Sequence, residues 1–118
     1  MIDTPSACYP LIAVDWGTTN RRAYLIDASG AIIDRREDIL GVLSVPPKGF
    51  GNALGGLIGG WRDVSAGGPP ILMSGMVGSR QGWIEATYAQ CPVDTSILVA
   101  NLVSISDVED AWIVPGVC

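Results

Sequence analysis

The chain has 118 residues, twelve acidic against seven basic, for a net charge of −5, a mean hydropathy of +0.36 and no histidine. That length supports one domain burying about 65% of its unfolded surface. The scattered basic residues argue against a nucleic-acid surface or an acidic membrane contact, and the missing imidazole excludes Ser–His–Asp and Cys–His catalysis and nearly all zinc sites.

Behind a tail over residues 1–10, Leu11-Ile12-Ala13-Val14 is β-branched and apolar without polar alternation, which predicts a fully buried strand. Asp15-Trp16-Gly17-Thr18-Thr19-Asn20 follows, then a second strand, Arg22-Ala23-Tyr24-Leu25-Ile26. Gly17 permits close approach of a ligand, and the turn's N–H groups and threonine hydroxyls suit an anion. Asp15 falls where a hydrated Mg²⁺ on a polyphosphate needs a carboxylate. The plainer alternative is an ordinary hairpin whose Asp and Thr satisfy turn backbone. Ala28-Ser29-Gly30 is a turn, and a third strand over Ala31 to Arg36 completes an antiparallel meander.

Gly41 to Val45 is a loop or short extended piece stopped by Pro46-Pro47. From Phe50 to Arg62 the period changes: Phe50, Leu54, Leu57, Ile58 and Trp61 share a helical stripe. Gly51, Gly55 and Gly59, four apart, permit close approach to a sheet, although each glycine costs a helix about 1 kcal/mol against Ala. Gly67-Gly68-Pro69-Pro70 breaks the chain before a second buried strand, Ile71-Leu72-Met73. Ile84 to Tyr88 reads as a short extended segment, Leu98 to Ile105 is ambiguous between strand and helix, and Trp112-Ile113-Val114 forms a last strand. The order of elements predicts an α/β, ribonuclease-H-like domain, a mixed sheet with flanking helices. Its two ligand-type loops then follow neighbouring strands at the sheet edge where α/β proteins bind ligands.

The second of those loops runs from Ser74 to Trp83 with glycines at 75, 78 and 82. Its groups suit a small polyhydroxylated acid. Arg80 can hold a carboxylate bidentately, Ser79 and Gln81 can read hydroxyls beside Gly82, and Trp83 can form an apolar wall. Against this stands a surface loop with an anchoring Trp, in which Arg80 pairs with Glu85 or caps a helix. Walker-type binding is excluded, because the one lysine, Lys48, precedes Gly49 and not Ser or Thr. No G-x-G-x-x-G occurs either, so a dinucleotide fingerprint is absent and the Asp15–Asn20 turn is the remaining phosphate-binding candidate.

Leu11–Arg22, a D-W-G-T-T-N-x-R pattern, resembles the phosphate-1 loop of the sugar kinase/Hsp70/actin superfamily. Met73 to Trp83, with Cys91-Pro92 and Ile113-Val114-Pro115-Gly116-Val117, is similar to the narrower 2-dehydro-3-deoxygalactonokinase family over about residues 11–117. The resemblance implies ATP- and Mg²⁺-dependent phosphorylation of 2-dehydro-3-deoxy-D-galactonate at its 6-hydroxyl. It places Asp15, Gly17, Thr18, Thr19, Asn20 and Arg22 on the nucleotide, Asp15 on the metal, and Ser79, Arg80, Gln81, Gly82 and Trp83 on the sugar acid. It also implies a two-lobed kinase of which residues 11–118 are the N-terminal lobe. The catalytic base and the adenosine-binding lobe are then expected beyond Cys118, leaving these residues inactive alone, and a homo-oligomer is compatible. Two rivals share the first motif: an actin- or chaperone-like ATPase module, with no reason for the Arg80–Trp83 loop, and a non-catalytic sensor lobe. Cys8, Cys91 and Cys118 show no C-x-x-C and match unpaired thiols in a reducing compartment. With no signal peptide and no apolar run near the ~20 residues of a membrane span, a cytoplasmic protein is expected.

Overall fold

A computed structural model describes residues 11–62, 68–80, 82–86, 102–106 and 108–115. It contains β1 (Leu11–Trp16), β2 (Arg21–Ile26), β3 (Ile32–Asp38), α1 (Phe50–Ile58), β4 (Ile71–Ser74), β5 (Val103–Ser104) and β6 (Ala111–Ile113). Single 3₁₀ turns lie at Val42–Ser44 and Met76–Gly78.

The six strands form one mixed sheet in the order β3-β2-β1-β4-β6-β5. β1, β2 and β3 make the expected antiparallel meander, with Trp16 opposite Arg21 and a register irregularity at Leu25/Ile26. β4 runs parallel to β1, Asp15 opposite Ser74, and β6 runs parallel to β4. β5 pairs antiparallel to β6 through two residues only. Of the ambiguous stretch from Leu98 to Ile105, the strand is therefore Val103–Ser104, and residues 98–101 lie outside the described part.

Strand alternation divides the sheet into two faces. Ile12, Val14 and Trp16 of β1, Ala23 and Leu25 of β2, Ile71 and Met73 of β4, and Ala111 and Ile113 of β6 are buried on one face. α1 covers them with Phe50, Leu54, Leu57 and Ile58. Each such side chain contributes about 1.5–3 kcal/mol. Leu11 and Ala13 on the other face are half-buried, so β1 is fully buried on one side and not on both as its unbroken apolar run predicts.

The helix stops three residues short of the end of its apolar stripe. Gly59 leaves helical geometry and Gly60 takes φ +89°. The freed end is tied to β3: Arg36 donates to the carbonyls of Leu57 and Gly59 and lies 4.3 Å over the Trp61 ring, while Trp61 Nε1 donates to Asp34 at 3.0 Å. Gly51 and Gly59 of the glycine stripe do not press on the sheet. A Cβ at Gly51 meets nothing within 4 Å, and at Gly59 the nearest atom is Gly55 O of the same helix. Of the segment Ile84 to Tyr88, expected to be extended, residues 84–86 are irregular and form no strand, and 87–88 lie outside the described residues.

Candidate functional site

The β1–β2 hairpin turns through Gly17–Asn20 at the end of β1, closed by the Gly17 N–H donating to Asn20 O at 2.8 Å. The turn's carbonyls are committed: Val42 N–H donates to Gly17 O and Leu43 N–H to Thr18 O. The N–H groups of Thr18 and Thr19 enter no hydrogen bond among the described residues. A turn with engaged acceptors and uncommitted donors is suited to an anion. Asp15 is exposed one residue before Trp16. Among the described residues it has no cationic partner, so its oxygens are available to a hydrated metal ion. No cluster of three metal-ligating side chains occurs among the described residues.

Gly41 holds this turn. Its Cα side is packed so closely on the Thr18 carbonyl and Thr19 Cα that a Cβ there overlaps both. Trp16 Nε1 donates to Leu40 O at 3.0 Å on the same approach. Arg21 secures the other side. Buried to 3% exposure, it makes two parallel bonds to Asp38 (2.8 and 3.0 Å), a third to Ala53 O (2.7 Å), and stacks 5.0 Å over Trp16. The Arg21 bonds, and then the Leu40 N–H, hold the Asp38 carboxyl below its ordinary pKa against the opposing effect of burial. Arg22, the arginine expected on the nucleotide, lies on the exposed face opposite Asp15, 3.4 Å from Glu37. A shallow groove of about 360 Å³ runs past it along Asn20, Glu37, Asp38 and Ile39.

The second loop leaves β4 beside this turn. Gly75 has φ +96°, and a Cβ there would lie 2.8 Å from Trp16 O and 3.1 Å from Asp15 Oδ1, so glycine lets the loop close on the end of β1. Inside the loop, Ser79 N–H and its hydroxyl both donate to Met76 O, Gly82 N–H to Ser79 O and Trp83 N–H to Val77 O. Gly82 is backed directly by the carbonyls of Met76 and Val77. Trp83 stacks on Phe50 (5.8 Å, 19° between planes) and meets Trp16 edge-on at 6.5 Å. Arg80 is 88% exposed, with Nε 3.6 Å from Glu85. Gln81 lies outside the described residues.

The two loops expected to be neighbours are neighbours. Within the loop, Trp83 faces a groove, Ser79 is engaged internally and Arg80 stands on the outside. Sequence reasoning missed Arg21, Asp38, Gly41 and Phe50. Arg21 had a signal in the alternation of β2, since a residue next to an exposed Arg22 faces the core. Gly41 had none, because its partners are distant in sequence.

The 2-keto-3-deoxy-galactonokinase family model matches residues 15–118. The 2-dehydro-3-deoxygalactonokinase of Escherichia coli (strain K12) is 36% identical over 107 residues, covering 91% of this chain and 35% of that protein. A Rhizobium meliloti (strain 1021) protein assigned the same activity is 37% identical over 106 residues, covering 88% of this chain and 34% of its own length. A crystal structure from Sinorhizobium meliloti, assigned as a 2-dehydro-3-deoxygalactonokinase protein, superposes with a TM-score of 0.78 at 33% identity over 91% of this chain and 35% of that one. The chain thus spans about a third of the length of the relatives it matches. Among the described residues no helix is long and apolar enough to cross a membrane. The chain belongs to the 2-keto-3-deoxy-galactonokinase family.

Proposed function

We propose that this chain forms the phosphate- and acid-binding part of a kinase that moves the γ-phosphoryl group of ATP to the 6-hydroxyl of 2-dehydro-3-deoxy-D-galactonate. The observation that carries this reading is the juxtaposition of the two loops: Asp15 and Ser74 are direct neighbours on parallel strands, and a Cβ at Gly75 would come within 3.1 Å of the Asp15 carboxylate. A polyphosphate on the first loop and a hydroxyl donor on the second then meet at one sheet edge. The relatives' names supply the substrate, and a meander followed by parallel β4 and β6 supports a ribonuclease-H-like lobe.

On this reading Gly17, Thr18, Thr19 and Asn20 take the phosphates through the turn's open donors, with Arg22 at its edge in reach of Glu37. An exposed carboxylate without a cationic partner fits a Mg²⁺ that keeps most of its waters, so Asp15 is the residue to hold it. The ion neutralises charge on the transferring group when bound. Ser79, Arg80, Gln81, Gly82 and Trp83 form the acid side. Among the described residues the other carboxylate in either loop, Glu85, faces Arg80; we take the base to lie outside these loops, on the second lobe. Exposed Ile39 and Leu43 flank the turn, an apolar surface of the kind a second lobe covers. The unpaired cysteine pattern suits a cytoplasmic setting.

Replacing Thr18 and Thr19 by Val in the kinase carrying this chain tests the phosphate assignment. The KM for ATP should rise at least about tenfold, as expected when hydroxyls that donate to a charged phosphate are lost, with the KM for the acid unchanged. An acid KM that rises while that for ATP holds contradicts it.

A further inference from the structure

Six of the seven basic side chains are partnered. Arg21 is on Asp38, Arg22 and Arg35 on Glu37, Arg80 on Glu85, Arg36 on the carbonyls of Leu57 and Gly59, and Arg62 on those of Pro69 and Glu109. Lys48 has no ion pair or hydrogen bond among the described residues, in a chain with twelve acidic residues. It stands in a groove of about 470 Å³ completed by Pro47, Phe50, Gly51, Trp83 and Ile84. None of these is a carboxylate, and the volume falls within the usual range for small-ligand sites. The groove is separated from the phosphate turn by one aromatic layer. Trp83 and Phe50, which line it, pack on Trp16 at 6.5 and 5.4 Å, and Trp16 directly follows Asp15.

We propose that this groove seats the carboxylate end of the sugar acid, with the Lys48 ammonium as its counter-ion and Trp83 as the wall against its carbon chain. This rests on the kinase reading and sharpens it. Lys48 is itself exposed, at the mouth of a groove whose lining holds no competing carboxylate, so a ligand carboxylate there meets an ammonium with no internal partner among the described residues.

The test titrates the kinase carrying this chain with 2-dehydro-3-deoxy-D-galactonate and, separately, with the neutral polyol galactitol, following tryptophan emission. MgATP binding is measured on the same samples by calorimetry. The acid should change the emission saturably and the polyol should not. Lys48→Met should weaken the acid roughly tenfold to a hundredfold, the loss of a charged hydrogen bond, while Lys48→Arg stays within about threefold. Gly51→Leu, whose side chain enters open space in the groove, should weaken the acid equally without lowering the melting temperature or MgATP affinity. Acid binding lost in Arg80→Met and kept in Lys48→Met overturns the proposal and leaves the kinase reading standing. Wild-type kinase that responds to MgATP and not to the acid also overturns it. Absence of MgATP binding as well overturns both.

Discussion

Two adjacent arginines show how much one step of strand alternation decides. Arg21 faces the core, where it joins the end of β3 to α1 and underlies Trp16; Arg22 faces outward beside Asp15. Replacing Arg21 by Ala leaves Asp38 and Ala53 O without their donor and is expected to cost about 2–4 kcal/mol in urea unfolding. Arg22→Ala removes an exposed pair and is expected to change stability by less than about 1 kcal/mol. The second strand was legible to within one residue, and that residue was the buried one. Gly41 sits at the same scale. Alanine there overlaps Thr18 and Thr19, so it is expected to lower stability by about 1–3 kcal/mol, as overpacking does, and to weaken MgATP binding by displacing the turn. Calorimetry on the folded variant separates the two effects.

Among the elements, the meander and the two buried strands were legible because their apolar runs are short, β-branched and punctuated by Gly or Pro. α1 was legible in its buried stripe, Phe50, Leu54, Leu57 and Ile58, and not in its end. The stripe continues through Trp61, but Gly59 and Gly60 release the backbone and Arg36 caps the carbonyls from another element. The glycines were misread as a packing face. Gly56 is exposed with open space at its Cβ, so Gly56→Ala is expected to stabilise by about 0.5–1 kcal/mol, chiefly by restricting the unfolded chain. The melting temperature should rise by about 2–5 °C with acid and MgATP binding unaltered. β5 was not legible: two residues paired to an edge carry no periodicity.

Taken as a whole, the molecule is poised for acid sensitivity at the meander. Asp27 is held below its ordinary pKa by the Ser29 hydroxyl and the Ala31 N–H, Asp34 by the Arg35 N–H and Trp61, and Asp38 by Arg21. A depressed carboxyl stabilises the fold fully above its unfolded value and loses that contribution as pH falls through that value toward the folded one. Urea midpoints should therefore hold near neutrality and decline below about pH 4. Asp38→Asn, already without the Arg21 pair, should decline less over that interval than the wild-type chain; an equal decline places the sensitivity elsewhere. The adjacency of the two loops was legible from the order of elements alone, whereas the groove at Lys48 was not, because Pro47–Gly51 and Trp83–Ile84 meet only through the packing of α1 on the sheet. The central claim is that Asp15 serves the phosphates and their metal while a separate surface holds the acid. Steady-state kinetics of Asp15→Asn in the kinase carrying this chain tests it most directly. The kcat is expected to fall roughly a hundredfold or more, as for lost electrostatic stabilisation of the transferring group, with the acid's dissociation constant within about twofold. A kcat that holds at saturation while acid affinity collapses would contradict it.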